Sequence, residues 1–319
     1  MGLTASSLPP ALPGRVLVTG ANGHLGRRLI ERLAGTAPRA PVRAVVRSQA
    51  AAELLRALPE PARPELAVLD PADAEALSGA AAGCDAAVHL VGILKESSRS
   101  RYAQAHEATC QALVRAAAKA GLRRIAHVSI LGADPDSRNA CLASRGRAER
   151  ILLGGAAPAV VLRVPMVIGE GDVAARMLRA QARARLVPLL RGGAAREQPI
   201  DARDLVLAVL LALLQPGLEG SALDLAGPES LSRRELLLRC AALHGRRPRI
   251  LPVPLGAALA FAGLLERVLP DPPVTRAMLG VLERDDEIDP APACRRLGLS
   301  LTPLSETLRR CAGPGAERA

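Results

Sequence analysis

A glycine-rich turn between a strand-like and a helix-like segment constrains the fold of this chain more than any other feature. The sequence VLVTGANGHLG places Gly20, Gly23 and Gly26 between an apolar β-branched run and an amphipathic one. Gly20 allows a tight turn, Gly23 lets a pyrophosphate approach the backbone, and Gly26 lets the helix pack closely on the strand. We therefore predict a Rossmann-type βαβ unit that binds a dinucleotide at the N-terminus of this helix.

The loop around these glycines supplies further residues to the predicted phosphate site. Asn22 lies between the first two glycines, and His24 and Leu25 begin the helix. The first turn of a helix has free backbone N–H groups and a partial positive charge, which favour a bound anion. We expect Asn22, His24 and Leu25 to contact the pyrophosphate.

The second and third predicted strands carry the residues expected to recognise the adenosine half of the dinucleotide. The second strand ends at Arg47, where an acidic residue would bind the ribose 2′-hydroxyl of NAD and an arginine suits the 2′-phosphate of NADP. No Asp or Glu lies near that strand end, so we predict NADP(H) in preference to NAD(H). Arg43 is either a second phosphate partner or a solvent-facing residue. Asp70, at the end of the third strand, is either an acceptor for the adenine amino group or a solvated loop residue.

Short apolar runs alternate with longer amphipathic segments through the first half of the chain. Helical spacing marks Leu25–Leu33 and Tyr102–Ala120, among others, and this alternation predicts right-handed βαβ units. We predict an α/β fold, a Rossmann doubly wound parallel sheet over residues 15–170, preceded by a flexible tail at 1–14. The predicted strands are Arg15–Thr19, Val42–Arg47, Leu66–Leu69, Ala86–Val91, Arg124–Ser129 and Ala159–Val164.

The second half, residues 171–319, is predicted to form a smaller, mostly helical domain for a substrate or partner. A strand near Ala222–Leu225 is expected to return to the main sheet. The remaining elements should be helices over the carboxyl edge of that sheet. The predicted helices are Val173–Arg185, Asp201–Leu214, Ser232–Leu243 and Leu255–Leu269.

The formal net charge of +11 raises the question of a polyanionic partner. The excess is nearly all arginine, and the arginines are scattered rather than clustered, as a codon bias towards arginine would produce. Tyr102 and Phe261 are the only aromatic residues, so stacking platforms for bases are lacking. We predict no nucleic-acid partner, whereas an anionic membrane surface fits the charge.

Two apolar segments bear on membrane contact. Leu205–Leu214 is half the length of a membrane span and is predicted to be a buried helix. Pro252–Pro270 is apolar almost all round until Glu266. We favour a buried helix of the C-terminal domain for this segment, the alternative being an interfacial patch on a membrane or on a membrane-associated protein.

The cysteine pattern and the N-terminal residues bear on the compartment. The six cysteines form no C-x-x-C pair, which predicts reduced thiols and no metal site. The start of the sequence has no signal-peptide pattern. We expect a cytoplasmic location, either in solution or peripheral at the inner face of a membrane.

Several segments together resemble a known superfamily, the extended or atypical short-chain dehydrogenase/reductases. Within it, the chain is most similar to the epimerase/dehydratase-like group that contains the nucleotide-binding accessory subunit of respiratory complex I and its bacterial relatives. The resemblance implies that Leu90, Val91, Gly92 and Pro165 contact the cofactor. The segments that carry it span residues 15–225, with PLSETL near the end: TGANGHLG, VRAVVRS, HLVGIL, HVSILGADPDS, LRVPMVIGEGD and QPIDARDLVLAV.

The resemblance also implies which residues would perform hydride chemistry, and this chain departs from the pattern. Catalytic members use Ser, Tyr and Lys, often with an Asn. Ser129 matches the serine, but Cys141 stands at the tyrosine position and Arg145 at the lysine position. His106 falls where the asparagine is expected.

No realignment restores the Tyr-x-x-x-Lys motif. Tyr102 is the only tyrosine, and the residue four positions later is a histidine. Both lysines, Lys95 and Lys119, precede the fifth predicted strand. The proton-transfer pair of the superfamily is therefore absent from the sequence.

The replacement residues leave three functions open. Arg145 keeps a positive charge for the ribose, with another donor geometry. Cys141 is too short to reach a substrate as a phenol would, and His106 is either an acid near neutral pH or an ordinary helix residue. We predict an NAD(P)(H)-binding protein with a structural or regulatory role in a complex-I-like or quinone-linked setting. The alternatives are an oxidoreductase or epimerase using His106 with Ser129, on a substrate the sequence does not identify, and a redox sensor similar to the NmrA-like regulators.

Overall fold

Strands and helices alternate through the first half of the chain, as the apolar pattern predicts. A computed structural model describes residues 3–4, 14–35 and 40–315. A π-helical turn, Ala103–Ala108, runs directly into the fourth helix. The elements of this half are β1 (Val16–Thr19), α1 (His24–Ala34), β2 (Val42–Val46), α2 (Gln49–Arg56), β3 (Glu65–Val68), α3 (Ala74–Ala81), β4 (Ala86–His89), α4 (Thr109–Ala120), β5 (Arg124–Ile130), α5 (Ala140–Leu153) and β6 (Ala159–Val164).

The second half is mostly helical, with short strands between the helices. A single turn of 3₁₀ helix, Arg191–Gly193, follows the longest of its early strands. The elements are β7 (Val167–Ile168), α6 (Val173–Arg183), β8 (Leu186–Leu190), β9 (Arg196–Glu197), β10 (Ile200–Asp201), α7 (Ala202–Leu214), β11 (Ser221–Asp224), β12 (Leu231–Ser232), α8 (Arg233–Leu243), β13 (Arg249–Val253), α9 (Leu255–Val268), α10 (Arg276–Leu282), α11 (Ala291–Leu297) and α12 (Leu304–Ala312).

Seven of these strands form one parallel sheet in the order β11-β6-β5-β4-β1-β2-β3. The chain moves outward from β1 to β3 and then crosses to β4 on the other side of β1. Such a reversal of strand order opens a crevice at the carboxyl ends of the two central strands, where ligands of this architecture bind. The sheet confirms the predicted doubly wound α/β fold, and β11 brings a strand of the second half into it.

Alternating side chains on the buried strands hold a helical layer on each face of the sheet. Leu17 packs in the layer of α3, α4 and α5. Val16 and Val18 pack on the opposite layer, with α1, α2 and the apolar helix α7. All three are at most 1% exposed, so the continuous apolar run of β1 is explained by burial on both faces. The burial of α7 confirms the prediction for Leu205–Leu214.

The C-terminal half packs its own smaller core against one end of the sheet. Helices α6, α8 and α12 share this core with β8, which pairs in parallel with β13. The sequence pattern missed the two-stranded β8–β13 sheet. Arg249–Val253 contains Pro252, is flanked by Pro248 and Pro254, and lacks regular alternation of apolar and polar residues, so it did not indicate a strand.

The structure differs from the sequence-based predictions at one apolar segment and at the N-terminal residues. The favoured burial of Pro252–Pro270 is wrong: Ala262 is the only buried residue of α9. Of the predicted flexible tail, Leu3, Thr4 and Gly14 are described and the rest lies outside the described residues. Leu3 donates a backbone hydrogen bond to the carbonyl of Gly298 at 2.7 Å and is therefore held in place.

Candidate functional site

The turn after β1 packs directly against the chain that leaves β4. Gly20 has φ +73°, a left-handed conformation that favours glycine. A Cβ at this position would lie 2.9 Å from the carbonyl carbon of Leu90 and 3.0 Å from the backbone nitrogen of Val91. A Cβ on Gly26 would lie 2.5 Å from the carbonyl oxygen of Ala21. Both glycines thus permit backbone contacts that any side chain would break.

The N-terminus of α1 is open for an anion. Gly23 is exposed and its helix end has no side-chain cap, so N–H groups of the first turn are left for a ligand. Asn22, His24 and Leu25 lie half-buried around this end, where the sequence predicted them. Burial and then the neighbouring Arg27 lower the pKa of His24, so its ring is neutral near pH 7.

The ends of β2 and β3 present two exposed side chains of opposite charge. Arg47 directly follows β2, and among the described residues it forms no hydrogen bond or ion pair. The Asp70 carboxylate accepts a hydrogen bond from the backbone nitrogen of Ala72 at 3.0 Å. Arg43 is not a phosphate partner: it lies near the start of β2, with its Nε 2.9 Å from a carboxylate oxygen of Glu65.

Arg145 lies across the far end of the crevice. Its guanidinium rests against the backbone of Gly92, where a side chain would overlap it. Arg145 is 9% exposed and donates to the carbonyl of Val128 at 3.4 Å, but its Nε has no partner among the described residues. Leu90, Val91 and Gly92 follow β4, and Pro165 follows β6, so these predicted contacts share the carboxyl edge of the sheet.

Three buried histidines lie around Arg145. The Thr109 hydroxyl donates its proton to a backbone carbonyl, so its oxygen accepts a hydrogen bond from Nε2 of His89. Because Nε2 carries the proton, Nδ1 of His89 accepts a hydrogen bond from the Thr19 hydroxyl at 2.7 Å. His127 donates from Nδ1 to the carbonyl of His89 at 3.0 Å. Burial, reinforced by Arg145, lowers the pKa of His89 to about 3.

His106 is the third histidine of this cluster. Its Nε2 lies 3.1 Å from both the nitrogen and the oxygen of Ile93. Burial and then Arg145 lower the pKa of His106 to about 3, which removes it as an acid near neutrality. The Nδ1 of His106 and the Nε2 of His127 are buried without a partner in the described part of the chain.

The Ser129 hydroxyl is hydrogen bonded to the ion pair that Glu149 forms with Arg163. The hydroxyl donates to one carboxylate oxygen of Glu149 at 2.5 Å, and Arg163 lies 2.7 Å from the other. Both Ser129 and Glu149 are at most 2% exposed. The structure therefore brings Arg145, His106 and Cys141 around Ile93 but holds the Ser129 hydroxyl on the Glu149–Arg163 pair.

The Tyr102 phenol lies beside Cys141, which stands at the tyrosine position of the superfamily motif. The place of Tyr102 in the sequence had argued against this. The Cys141 sulfur lies 3.8 Å from the carbonyl oxygen of Ile93. The Tyr102 hydroxyl donates to the carbonyl of Leu94 at 2.8 Å. Burial and then contact with Cys141 raise the pKa of Tyr102, so the phenol stays protonated. No sequence pattern pointed to this residue, because it directly precedes the π-helical turn and does not come from α5.

A cavity of about 650 Å³ opens beside Tyr102 and the start of α5. The loop of residues 96–102 forms one wall, and the segment between α9 and α10 forms another. Charged side chains such as Arg138 and Glu96 line it together with the apolar Leu269. The cavity thus offers a polar and apolar space at the place where the C-terminal half meets the crevice.

Comparisons with known proteins agree with this geometry. A family of NAD(P)H-binding domains matches residues 20–166. The chain is 26% identical over 253 residues to NADH dehydrogenase (ubiquinone) 1 alpha subcomplex subunit 9, mitochondrial, of Arabidopsis thaliana, a match that covers 77% of this chain and 61% of the plant protein. Residues 20–166 are therefore similar to NAD(P)H-binding domains, and the relatives found agree with the resemblance to the extended short-chain dehydrogenase/reductases.

Two further proteins to which this chain is similar are named as reductases. The chain is 25% identical over 263 residues to the ceramide reductase of Caulobacter vibrioides, covering 79% of this chain and 78% of that protein. Triphenylmethane reductase of Citrobacter sp., solved in complex with NADP(H), superposes with a TM-score of 0.69 at 22% identity, covering 92% of this chain and 99% of the other. The superposition shows that this chain shares its fold with the Citrobacter protein.

The residues of the crevice fit a nicotinamide dinucleotide. The glycine turn and the open end of α1 suit the pyrophosphate, and the unpartnered Nε of Arg145 offers a donor at the other end. No helix in the described part of the chain is long and apolar enough to cross a membrane, and no group of metal-ligating side chains is found among the same residues.

Replacing Gly23 by serine should separate binding from folding. Serine is a favoured residue at a helix N-cap, and the backbone of Gly23 (φ −66°, ψ 164°) is extended. A Cβ here would lie 3.3 Å from the carbonyl oxygen of Gly20, so this tight contact should offset the capping gain and stability should change by less than about 1 kcal/mol. The serine hydroxyl would take the N–H groups that a phosphate needs. We expect NADPH affinity, measured by calorimetric titration, to fall about tenfold or more.

The matched control is Gly79→Ala in α3, where an added Cβ meets no heavy atom within 4 Å. This variant should bind NADPH as the unaltered chain does. Wild-type affinity in Gly23→Ser would show that the dinucleotide does not bind at this helix end.

The buried histidines should make stability fall on acidification. Burial lowers the pKa of His89 and His106 to about 3 and lowers that of His127 well below its usual value, while the unfolded chain titrates near 6.5. Between these values the unfolded state binds more protons, so the free energy of unfolding should drop by up to about 4 kcal/mol per pH unit from these three groups. Urea unfolding at pH 6 and pH 5 measures the slope.

His127→Asn tests the assignment, because the asparagine amide can keep the hydrogen bond to the carbonyl of His89. The slope of the free energy of unfolding against pH should fall by about a third, because one of the three buried histidines is removed. An unchanged slope would mean that other groups cause the acid sensitivity.

Proposed function

We propose that this chain binds NADP(H) as a structural or regulatory ligand and does not carry out the Tyr–Lys hydride chemistry of its superfamily. The observation that carries the proposal is the contrast between the two ends of the crevice. The glycine turn and the helix end keep the features that hold a dinucleotide. At the other end, Cys141 and Arg145 replace the proton-transfer pair, and the nearby phenol is hydrogen bonded to a backbone carbonyl.

The charges around the adenosine end support NADP(H) over NAD(H). Arg47 is exposed and unpaired in the described part of the chain, so its guanidinium is available to a 2′-phosphate. Asp70 lies at the neighbouring strand end, where its carboxylate already accepts a bond from Ala72 and remains exposed for the adenine amino group. Arg145 would hold the nicotinamide ribose.

The cofactor would supply a hydride to an acceptor when it is bound, but the groups that would move the accompanying proton are poorly suited to it. His106 is neutral and buried, and Ser129 donates its proton to Glu149. Binding alone still stabilises a fold: a ligand at a hundred times its Kd adds about 2.7 kcal/mol. The similarity to a subunit named for NADH dehydrogenase (ubiquinone) supports a setting next to complex I or quinone metabolism, at the inner face of a membrane.

One observation favours a second function, a reductase with an unorthodox proton donor. Tyr102 places its phenol beside Cys141 and against the cavity of about 650 Å³. In that function Tyr102, which directly precedes the π-helical turn, would give a proton to a substrate oxygen in the cavity. The similarity to reductases with lipid and dye substrates supports the same alternative.

Replacing Arg47 by glutamate should invert the nucleotide preference. Loss of one charge-assisted hydrogen bond removes about 1.5–3 kcal/mol, so NADPH affinity should fall about 10- to 150-fold while NADH affinity stays the same. Parallel titrations with both nucleotides measure the ratio. Arg115→Glu, an exposed arginine of α4 without a partner in the described residues, controls for the change in net charge. Equal ratios in the two variants would assign the preference to another residue.

A turnover assay decides between the two functions. We expect NADPH to raise the melting temperature and to remain unconsumed with panels of ketones, aldehydes and quinones. Consumption that disappears in Tyr102→Phe, with NADPH affinity retained, would establish the reductase and refute the structural role. Consumption that disappears in Ser129→Ala or His106→Ala instead would restore the acid–base pair predicted from the sequence.

A further inference from the structure

Helix α9 presents an apolar surface to solvent. Phe261, Leu264 and Val268 are 58%, 56% and 68% exposed, and their spacing of three and four residues puts them on one face of the helix. Leu269, which follows the helix, is 41% exposed. We call these four residues the α9 face. Large apolar side chains are rarely grouped on the surface of a protein unless something covers them.

The sequence that leads into α9 is basic, which suits an anionic partner. Residues 244–265 contain no Asp or Glu, and Arg246, Arg247 and Arg249 in this stretch are all exposed. Arg267 is exposed on α9 itself. Glu266 is neutralised by Arg276, whose Nε lies 2.8 Å from its carboxylate.

Two acidic residues, Glu96 and Asp271, lie close to the end of the face, and Glu96 is paired with Arg101 at 3.6 Å. Asp271 accepts a hydrogen bond from the hydroxyl of Ser98 at 2.9 Å, and Lys95 donates to the carbonyl of Pro272, so a cation stands beside this carboxylate. The surroundings of α9 therefore carry a net positive charge, in line with the +11 of the whole chain.

The size of α9 restricts how it would meet a bilayer. With 14 residues it is about 21 Å long, whereas the hydrocarbon core of a bilayer is about 30 Å thick. Such a helix lies in the plane of the interface, with its apolar face among the acyl chains and its basic neighbours at the level of the phosphates.

We propose that the α9 face docks on the surface of an anionic phospholipid bilayer, with Arg246, Arg247, Arg249 and Arg267 contacting lipid phosphates. The apolar side chains give binding energy in proportion to their buried area, and the arginines select acidic headgroups. This surface is separate from the glycine turn, so the proposal is independent of nucleotide binding.

Vesicle flotation with the full chain tests the proposal. We expect binding to vesicles of phosphatidylcholine and phosphatidylglycerol at three to one, at least tenfold weaker binding to pure phosphatidylcholine, and a loss of binding at 0.5 M NaCl. The double variant Phe261→Glu/Leu264→Glu should lose at least tenfold in binding to the acidic vesicles. NADPH titration of the variant confirms that the fold is kept.

The matched control is Leu54→Glu/Met177→Glu, which adds the same charge at side chains that are 51% and 52% exposed on α2 and α6. This control should bind vesicles within twofold of the unaltered chain. Absence of binding to acidic vesicles, equal binding to both vesicle types, or equal loss in the two double variants would each overturn the proposal. A dimer in solution that only the α9 variant dissociates would assign the face to a second copy of the chain and likewise overturn it.

Discussion

The close contact between the turn after β1 and the chain leaving β4 is the constraint on which the rest of the crevice depends. With Gly20 in a left-handed conformation, the turn that leads into the first helix packs directly against the backbone at Leu90 and Val91. This contact fixes the open end of α1 and the loop to Gly92 relative to each other. Because Arg145 rests on Gly92, the same contact also fixes the position of the guanidinium at the far end.

A second consequence of this arrangement is a buried layer of polar groups under the crevice. His89 ends β4, His127 lies in the middle of the neighbouring β5, and both are 1% exposed. His89 is hydrogen bonded to Thr19, and His127 to the carbonyl of His89. Buried polar groups need partners with good geometry, so this layer restricts how β1, β4 and β5 can shift past one another. The layer is neutral apart from Arg145, because burial keeps the histidines unprotonated.

The sequence was sufficient for the parts of the structure that depend on local patterns. Apolar runs buried on both faces predicted the strands of the central sheet, and the glycine spacing predicted the turn at Gly20. The partner of Ser129 was not predictable, because Glu149 meets it only through the packing of α5 on β5. The spacing of the Tyr-x-x-x-Lys motif argued against Tyr102, although its phenol, just before the π-helical turn, lies beside Cys141. The exposure of α9 was missed for a similar reason, since apolar composition does not tell whether the covering atoms belong to the same chain. The predicted domain boundaries and catalytic assignments stay predictions.

The guanidinium that lies on Gly92 has an electrical consequence. An arginine side chain keeps its proton at every physiological pH, and among the described residues no carboxylate is hydrogen bonded to Arg145. Any ring that enters this end of the crevice would therefore meet a cation in a poorly solvated environment. If the proposed nicotinamide lies here, its oxidised form, which carries a positive charge, would be disfavoured relative to the neutral dihydropyridine form.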